Sequence, residues 1–214
     1  MGKVNFDVGI SLDGFLAGPN QRFEEPLGDG GEQLHEWMFR TAFWRGEHGQ
    51  DPEDSATDRD DQIVRERTEN VGAYIMGRNM FGGGPGGWDE SWKGWWGDDP
   101  PYHTPVFVLT HHPREPVEME GGTTFHFVTD GAESALEQAR AAAGDKNVQI
   151  GGGADVIQQY LKAGAVDEFQ LHIAPVLLGG GARLLDDLGN DEIKLEIVRA
   201  EHSPLVTHVK YRVL

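Results

Sequence analysis

The sequence has no cysteine. Disulfide frameworks, thiolate metal sites and cysteine nucleophiles are thereby excluded, and the composition fits a reducing compartment. Positive charge is scarce: 18 Lys and Arg stand against 36 Asp and Glu, a net charge of −18 over 214 residues. Such a chain is a poor partner for duplex nucleic acid or an anionic membrane surface. No apolar run approaches the ~18 residues of a membrane span. The first residues, Met1 to Asp7, lack the apolar stretch of a secretory signal and read as a mature start. A cytoplasmic protein acting on a small molecule is the expectation.

What is abundant is glycine, 30 residues, about twice the usual ~7%. The glycines cluster, and the clusters punctuate a regular alternation of strands and helices. Val4, Phe6, Val8 and Ile10 alternate with polar residues as a strand does, running into a turn at Ser11-Leu12-Asp13-Gly14. Leu34, Trp37, Met38 and Phe43 predict a helix over 32–45. Residues 46–62 are acidic, nearly free of apolar groups, and read as an exposed loop outside any core. A short helix over 63–69 leads to a buried strand at 71–76, which ends at Gly77-Arg78-Asn79. A glycine run at 82–87 and four tryptophans at 88, 92, 95 and 96 follow.

Strands are predicted at 106–110 and 124–128. A helix follows, with Asp130 and Glu133 as a capping box, an apolar face of Ala132, Leu136, Ala139 and Ala143, and a stop at Gly144. Residues 147–150 form a strand, Gly151-Gly152-Gly153 a turn, and 154–163 a second helix. Phe169, Leu171 and Ile173 mark another strand. Two late strands, around 193–197 and 208–213, alternate strictly and read as antiparallel with one wet face. The whole is a single α/β domain over 1–214, with about eight strands in a mostly parallel sheet and antiparallel C-terminal strands.

Three strand ends carry chemistry. Gly151-Gly152-Gly153 between a strand and a helix lets backbone approach a ligand, and the helix start offers free N–H groups to a phosphate. A tight turn without a ligand is the competing reading, and the carboxylate of Asp155 opposes a phosphate close by. Arg78 leaves a buried strand where open α/β sheets bind ligands, with a guanidinium that grips phosphate bidentately; a surface ion pair is the alternative. Thr110-His111-His112 ends the next strand with hydroxyl and imidazole donors. Together they point to an anionic ligand, a nucleotide above all, at one sheet edge. No second cluster with metal-ligand spacing accompanies the histidines. The tryptophans either wall a pocket or pin a lid by packing; pinning is the preferred reading.

In this order the motifs resemble the dihydrofolate reductase-like superfamily, a three-layer α-β-α fold. Ile75-Met76-Gly77-Arg78 is similar to its strand-to-helix motif, Val108-Leu109-Thr110 to its next cofactor strand, and Ile150-Gly151-Gly152-Gly153 to its glycine motif. Ser11 to Ala17 and the run from Val166 to Gly179 resemble one branch: the C-terminal reductase domain of the riboflavin-biosynthesis protein RibD and its stand-alone relatives. The resemblance covers Val4 to Leu214. It implies an NADPH-binding reductase, with NADH possible, that is a homodimer and reduces a C=N or C=O bond of a small heterocycle or carbonyl compound. Gly151, Gly152 and Gly153, with Ala154 and Asp155, would meet the pyrophosphate. Gly77, Arg78 and Asn79 would flank the adenosine phosphate end, and Thr110 and His111 would lie near the 2′-phosphate. Leu12, Asp13 and Gly14 would border nicotinamide and substrate, Asp13 being the candidate catalytic acid or substrate anchor; a structural turn Asp is the plainer reading. The sequence departs from the family at Met80, where a threonine is expected, and at Ala154 and Asp155, where a basic residue often follows the glycines. Only Glu32 and Glu36 stand near the place of a folate-anchoring carboxylate, so the resemblance does not extend to folate reduction. A catalytically silent dimer and a flavin-binding module remain as alternatives.

Overall fold

The computed structural model describes residues 2–51, 55–189 and 192–214. Its strands are β1 (Val4–Ser11), β2 (Phe15–Ala17), β3 (Val71–Gly77), β4 (Pro105–Leu109), β5 (Val117–Glu118), β6 (Thr124–Val128), β7 (Asn147–Gly152), β8 (Glu168–Ala174), β9 (Ala182–Arg183), β10 (Leu195–His202) and β11 (Thr207–Val213). The α-helices are α1 (Glu36–Phe39), α2 (Ala42–Glu47), α3 (Arg59–Glu66), α4 (Arg78–Phe81), α5 (Ala132–Ala143) and α6 (Ala154–Lys162). The large sheet has nine strands in the order β10-β11-β8-β1-β7-β3-β4-β6-β5, and β2 pairs with β9 apart from it. The fold is α/β, with a mostly parallel sheet and antiparallel C-terminal strands. Its residues gather into two compact units. One holds the chain up to Phe6, Asn70–Glu168 and Asp187–Glu192; the other holds Asp7–Glu69, Phe169–Asp186 and Ile193–Leu214.

In the first unit the parallel pairs are β1 with β7, β7 with β3, β3 with β4 and β4 with β6, and β5 closes the edge antiparallel. Every residue of β3 is buried, as a strand covered on both faces must be. The long helix α5 lies against β3 and β4 through Ala135, Ala139 and Ala143, which follow one another at the i, i+4 spacing of a single face. Its start corrects the sequence reading. Gly131, not Asp130, is the N-cap, and no side chain caps the helix. The Asp130 carboxylate instead accepts from the Thr129 hydroxyl at 3.4 Å. Gly144 ends the helix as expected, its N–H bonded to the Arg140 carbonyl.

A core cluster joins Val71, Tyr74, Met76, Phe81, Val106, Val108 and Phe125, with Trp88, Trp92, Trp96 and Tyr102 packed against it. The tryptophan segment is therefore pinned. Trp92 and Trp95 donate their indole N–H groups to the Phe81 and Met80 carbonyls, at 3.1 and 3.0 Å. Trp88 donates to the His112 carbonyl at 2.8 Å.

The second unit departs more from the sequence reading. The expected helix over 32–45 is three pieces: a 3-10 turn at Gly31–Leu34, then α1, then α2. The break falls at Thr41, whose backbone is extended and whose hydroxyl accepts from Trp44 N, capping α2. The acidic segment is a solvated loop only in part: residues 46–51, 57 and 58 are exposed, as expected. Residues 52–54 lie outside the described residues, but α2 runs into the segment from one side. From the other, α3 starts at Arg59, a turn before the expected helix, capped by Asp58. Asp60 and Asp61 are buried at 1% and 4% exposure. Burial of a carboxylate requires partners, and both have them. Asp61 accepts from Phe43 N and Arg65 at 2.6 and 2.9 Å, and Asp60 bonds His208 and Arg40.

The late strands also differ from expectation. The antiparallel pair β10–β11 forms, with a register shift between Ile197 and Arg199. Yet Leu195, Ile197 and Val198 are exposed, and on β11 the supposedly wet position His208 is buried. β8 is likewise buried on both faces. Its polar residues are matched one by one: Glu168 with Lys3, Gln170 with Arg199, His172 with Asp7.

Candidate functional site

The ends of β7, β3 and β4 are neighbours in one parallel sheet. Met76 is in register with Gly152, and Gly77 with Leu109. The expected cofactor residues of the first unit therefore meet at one edge. Gly77 opens α4, and a Cβ there would stand 2.9 Å from Val156 Cγ2, so any side chain would force that methyl to shift. Gly152 has φ +126°, a region that ordinary side chains rarely adopt. Gly153 then caps α6, its carbonyl accepting from the N–H groups of Val156 and Ile157. The N–H groups of Ala154 and Asp155 precede those bonds in the first turn, where a helix presents its unpaired donors and positive dipole end. Ala154 is buried and the Asp155 side chain is exposed.

Arg78 is held by aromatic packing. Its guanidinium lies 3.9 Å from the Trp88 ring centre, and Nη2 donates to the Gly87 carbonyl at 3.3 Å. Its Nε is buried without a hydrogen-bond partner among the described residues. Burial pushes its pKa below the ordinary arginine value. Asn79 is exposed beside it. The Thr110 hydroxyl is turned inward, accepting from His112 N at 3.1 Å and donating to the His112 carbonyl at 3.4 Å. His111 remains exposed. Met80 lies against the glycine turn, its methyl carbon 3.4 Å from the point a Gly151 Cβ would occupy.

Two residues of this edge were not read from the sequence: Trp88 as the platform for Arg78, and Arg114. The Arg114 side chain is 2% exposed. It lies over the Trp88 and Phe127 rings at 5.3 and 5.1 Å and is paired with Glu90 at 3.3 Å. The available signals were slight: an aromatic directly after a glycine run, and an arginine directly after a strand-stopping proline.

Leu12, Asp13 and Gly14 belong to the second unit. They form a turn closed by Gly14 N to the Ser11 carbonyl at 2.9 Å. The Asp13 carboxylate accepts from Leu178 N and Gly179 N at 3.1 and 2.8 Å. Arg183 donates to the Asp13 carbonyl at 3.0 Å and stacks on Phe15. The Ser11 hydroxyl, and then these backbone donors, hold the Asp13 carboxyl at about 2. At neutral pH it is ionised and has no proton to donate; what it does in the structure is fasten the turn to the loop at 176–180. Leu12 is 67% exposed. Among the described residues no group of His, Asp and Glu has the arrangement of a metal site, and no helix is long and apolar enough to cross a membrane.

The profile of the RibD C-terminal domain matches residues 2–209. The chain belongs to that family. Two Bacillus subtilis (strain 168) relatives are the protein YyaP, 25% identical over 92% of this chain and 86% of its own, and the protein YwjB. YwjB is 35% identical over 71 residues, a match that spans 33% of this chain and 40% of YwjB. Among solved structures, the fold is similar to a putative riboflavin biosynthesis protein from Shewanella sp. PV-4. The TM-score is 0.64 and the identity 21%, over 99% of each chain. It is also similar to a diaminohydroxyphosphoribosylaminopyrimidine deaminase/5-amino-6-(5-phosphoribosylamino)uracil reductase from Thermotoga maritima, with a TM-score of 0.57 and 14% identity. All of this chain aligns there with 57% of the longer one. This RibD C-terminal domain thus has the dihydrofolate reductase-like architecture expected from its motifs.

Proposed function

We propose that this RibD C-terminal domain is an NADPH-dependent reductase that delivers hydride to a small heterocyclic or carbonyl substrate. The observation that carries the reading is the convergence of Gly77-Arg78, Thr110-His111 and Gly151–Asp155 at one sheet edge, in a chain of this family. The residues fit the cofactor. Gly153 has open space beside it at the start of a nine-residue helix, and Arg78 keeps a buried nitrogen in need of an acceptor. Gly151–Gly153 and the first N–H groups of α6 would hold the pyrophosphate, and Arg78, Asn79 and His111 the adenosine phosphate end. When bound, the nicotinamide supplies the hydride. Asp13, being ionised, serves the turn at 11–14 and leaves protonation of the product to water or another group.

The test is a titration of NADPH and of NADH by calorimetry, with tryptophan fluorescence in parallel, on wild type and Gly152→Asp. Saturable NADPH binding is expected in the wild type and lost in the variant, which puts a carboxylate where the pyrophosphate would lie, on a backbone strained by its positive φ. Wild type that binds neither nucleotide sinks the reading. A catalytically silent member of the fold is then the better account. Met80 on the glycine turn and the inward Thr110 hydroxyl favour that second reading.

We also infer that the chain is a homodimer through β10. It is the edge strand of the large sheet and exposes Leu195, Ile197 and Val198. Exposed apolar edges of this kind are ordinarily covered. Sedimentation should show a dimer for wild type and a monomer for Ile197→Glu; a wild-type monomer at tens of micromolar would refute the inference.

A further inference from the structure

The second unit buries an unbroken chain of four titratable groups that the proposed chemistry does not use. His172 Nε2 lies 2.7 Å from Asp7 Oδ1, His172 Nδ1 lies 2.6 Å from His208 Nδ1, and His208 Nε2 lies 3.1 Å from Asp60 Oδ1. The two imidazoles are 1% and 2% exposed. Trp37 packs against both, ring centres 4.7 and 4.9 Å away. The groups come from β1, α3, β8 and β11, so the chain ties together the elements of this unit.

Counting protons decides its state. Three contacts at hydrogen-bond distance need three protons. A carboxylate accepts, so both Nε2 atoms donate, which uses the single proton of each neutral ring. The Nδ1 atoms would then face each other with lone pairs at 2.6 Å, which is repulsive. A third proton resolves this, and a carboxyl group is not its place. Burial alone would raise the Asp7 pKa, but His172 and Arg67, the latter 3.1 Å away, hold it below its ordinary value. Burial at Asp60 is likewise outweighed by His208, Ser203 and Arg40. Arg40 is 3.0 Å from Asp60 and also bonds Asp58 at 2.8 Å. The remaining neighbour, His35, is held at about 4 by burial and by the charges of Arg67 and His172, so it stays neutral.

We propose that His172 and His208 hold one proton more than two neutral rings, shared along the short Nδ1···Nδ1 contact, and that losing it or gaining another loosens the second unit. The sign follows from linkage. Unfolded histidine rings in general titrate near ~6.5, so such a pair carries two protons beyond those of neutral rings in acid and none beyond them in alkali. Folded, the pair keeps one. Below ~6.5 the unfolded state binds about one proton more, and stability rises with pH; above it the unfolded state binds about one fewer, and stability falls. The unfolding constant should change by up to about tenfold per pH unit on each side. The downward push on His208 from burial and from its neighbour ring, against Asp60, agrees with a pair that refuses a second proton.

Two measurements test this on the full chain. The first is histidine ring ¹⁵N–¹H correlation spectroscopy of the wild type across pH 5–8. The expected result is three ring N–H protons on the two residues throughout, one of them strongly deshielded. Two neutral rings, or two imidazolium rings, across that range overturn the proposal. The second compares urea unfolding of wild type and His208→Asn over the same range. The introduced amide can donate to His172 Nδ1, which removes the need for the extra proton. The alkaline fall in stability should then disappear from the variant and persist in wild type. An alkaline limb of equal slope in both overturns the proposal. Should the variant not fold, the spectroscopy on wild type still decides.

Discussion

Phe125→Ala should cost the first unit about 3–5 kcal/mol, the range for truncating a fully buried aromatic. Phe125 has no exposed surface. It meets Phe81 edge-on at 5.0 Å, Tyr102 at 6.2 Å, and stacks on Trp96 at 5.9 Å. Those contacts join β6 to the pinned tryptophan segment. Removing the ring leaves a cavity whose walls are held elsewhere, because Trp92 and Trp95 are tied by their indole N–H groups to the Phe81 and Met80 carbonyls. Such walls collapse poorly, which puts the expected cost high in the range. Urea unfolding followed by tryptophan fluorescence is the check, since four of the six tryptophans lie in that segment. A loss below about 1 kcal/mol would mean that the segment relaxes into the space and is not the rigid cover described here.

The same segment shows where sequence reasoning worked and where it stopped. β3 and β4 were legible because each is a continuous apolar run, β6 and β7 because apolar and polar residues alternate along them. The glycine turn at 151–153 was legible because a strand period changes to a helix period across it. β2, β5 and β9 are two or three residues long, too short for any alternation to show. The helix expected over 32–45 has the right apolar spacing, but Thr41 caps a new helix where the pattern alone would continue one. The largest failure came from equating charge with exposure. Residues 46–62 hold Asp60, the wet face assigned to the last strand holds His208, and the polar positions that alternate along β8 include His172. All three are buried, because each finds its partner far along the chain, Asp7 with His172 at a separation of 165 residues and His208 with Asp60 at 148. Pairing at such distances leaves no local pattern. At the candidate site the glycines and Arg78 were legible because they stand where strands end. Trp88 and Arg114 were missed because their role is to position another group, which only the fold reveals.

That positioning gives the prediction with the largest effect on binding. Arg78→Ala should weaken NADPH about ten- to a hundredfold, the equivalent of a charged hydrogen bond of ~1.5–3 kcal/mol, and change NADH much less. The guanidinium is fixed on Trp88, one of its nitrogens is committed to the Gly87 carbonyl, and its buried Nε has no acceptor. A phosphate monoester would accept from the terminal N–H groups of the fork; a bare ribose hydroxyl would be a far weaker acceptor. Arg78→Lys keeps the charge and loses the planar fork and the stacking, so it should recover only part of the loss. Trp88→Leu keeps the arginine and removes its platform, and should fall between the two. Calorimetric titration of all three variants with both nucleotides separates the possibilities. If NADPH and NADH weaken together, Arg78 serves the turn at Gly77 and not the cofactor's phosphate. If neither changes, the stacking on Trp88 is packing alone, and the adenosine end must be held elsewhere on the edge, with exposed His111 the next residue to substitute.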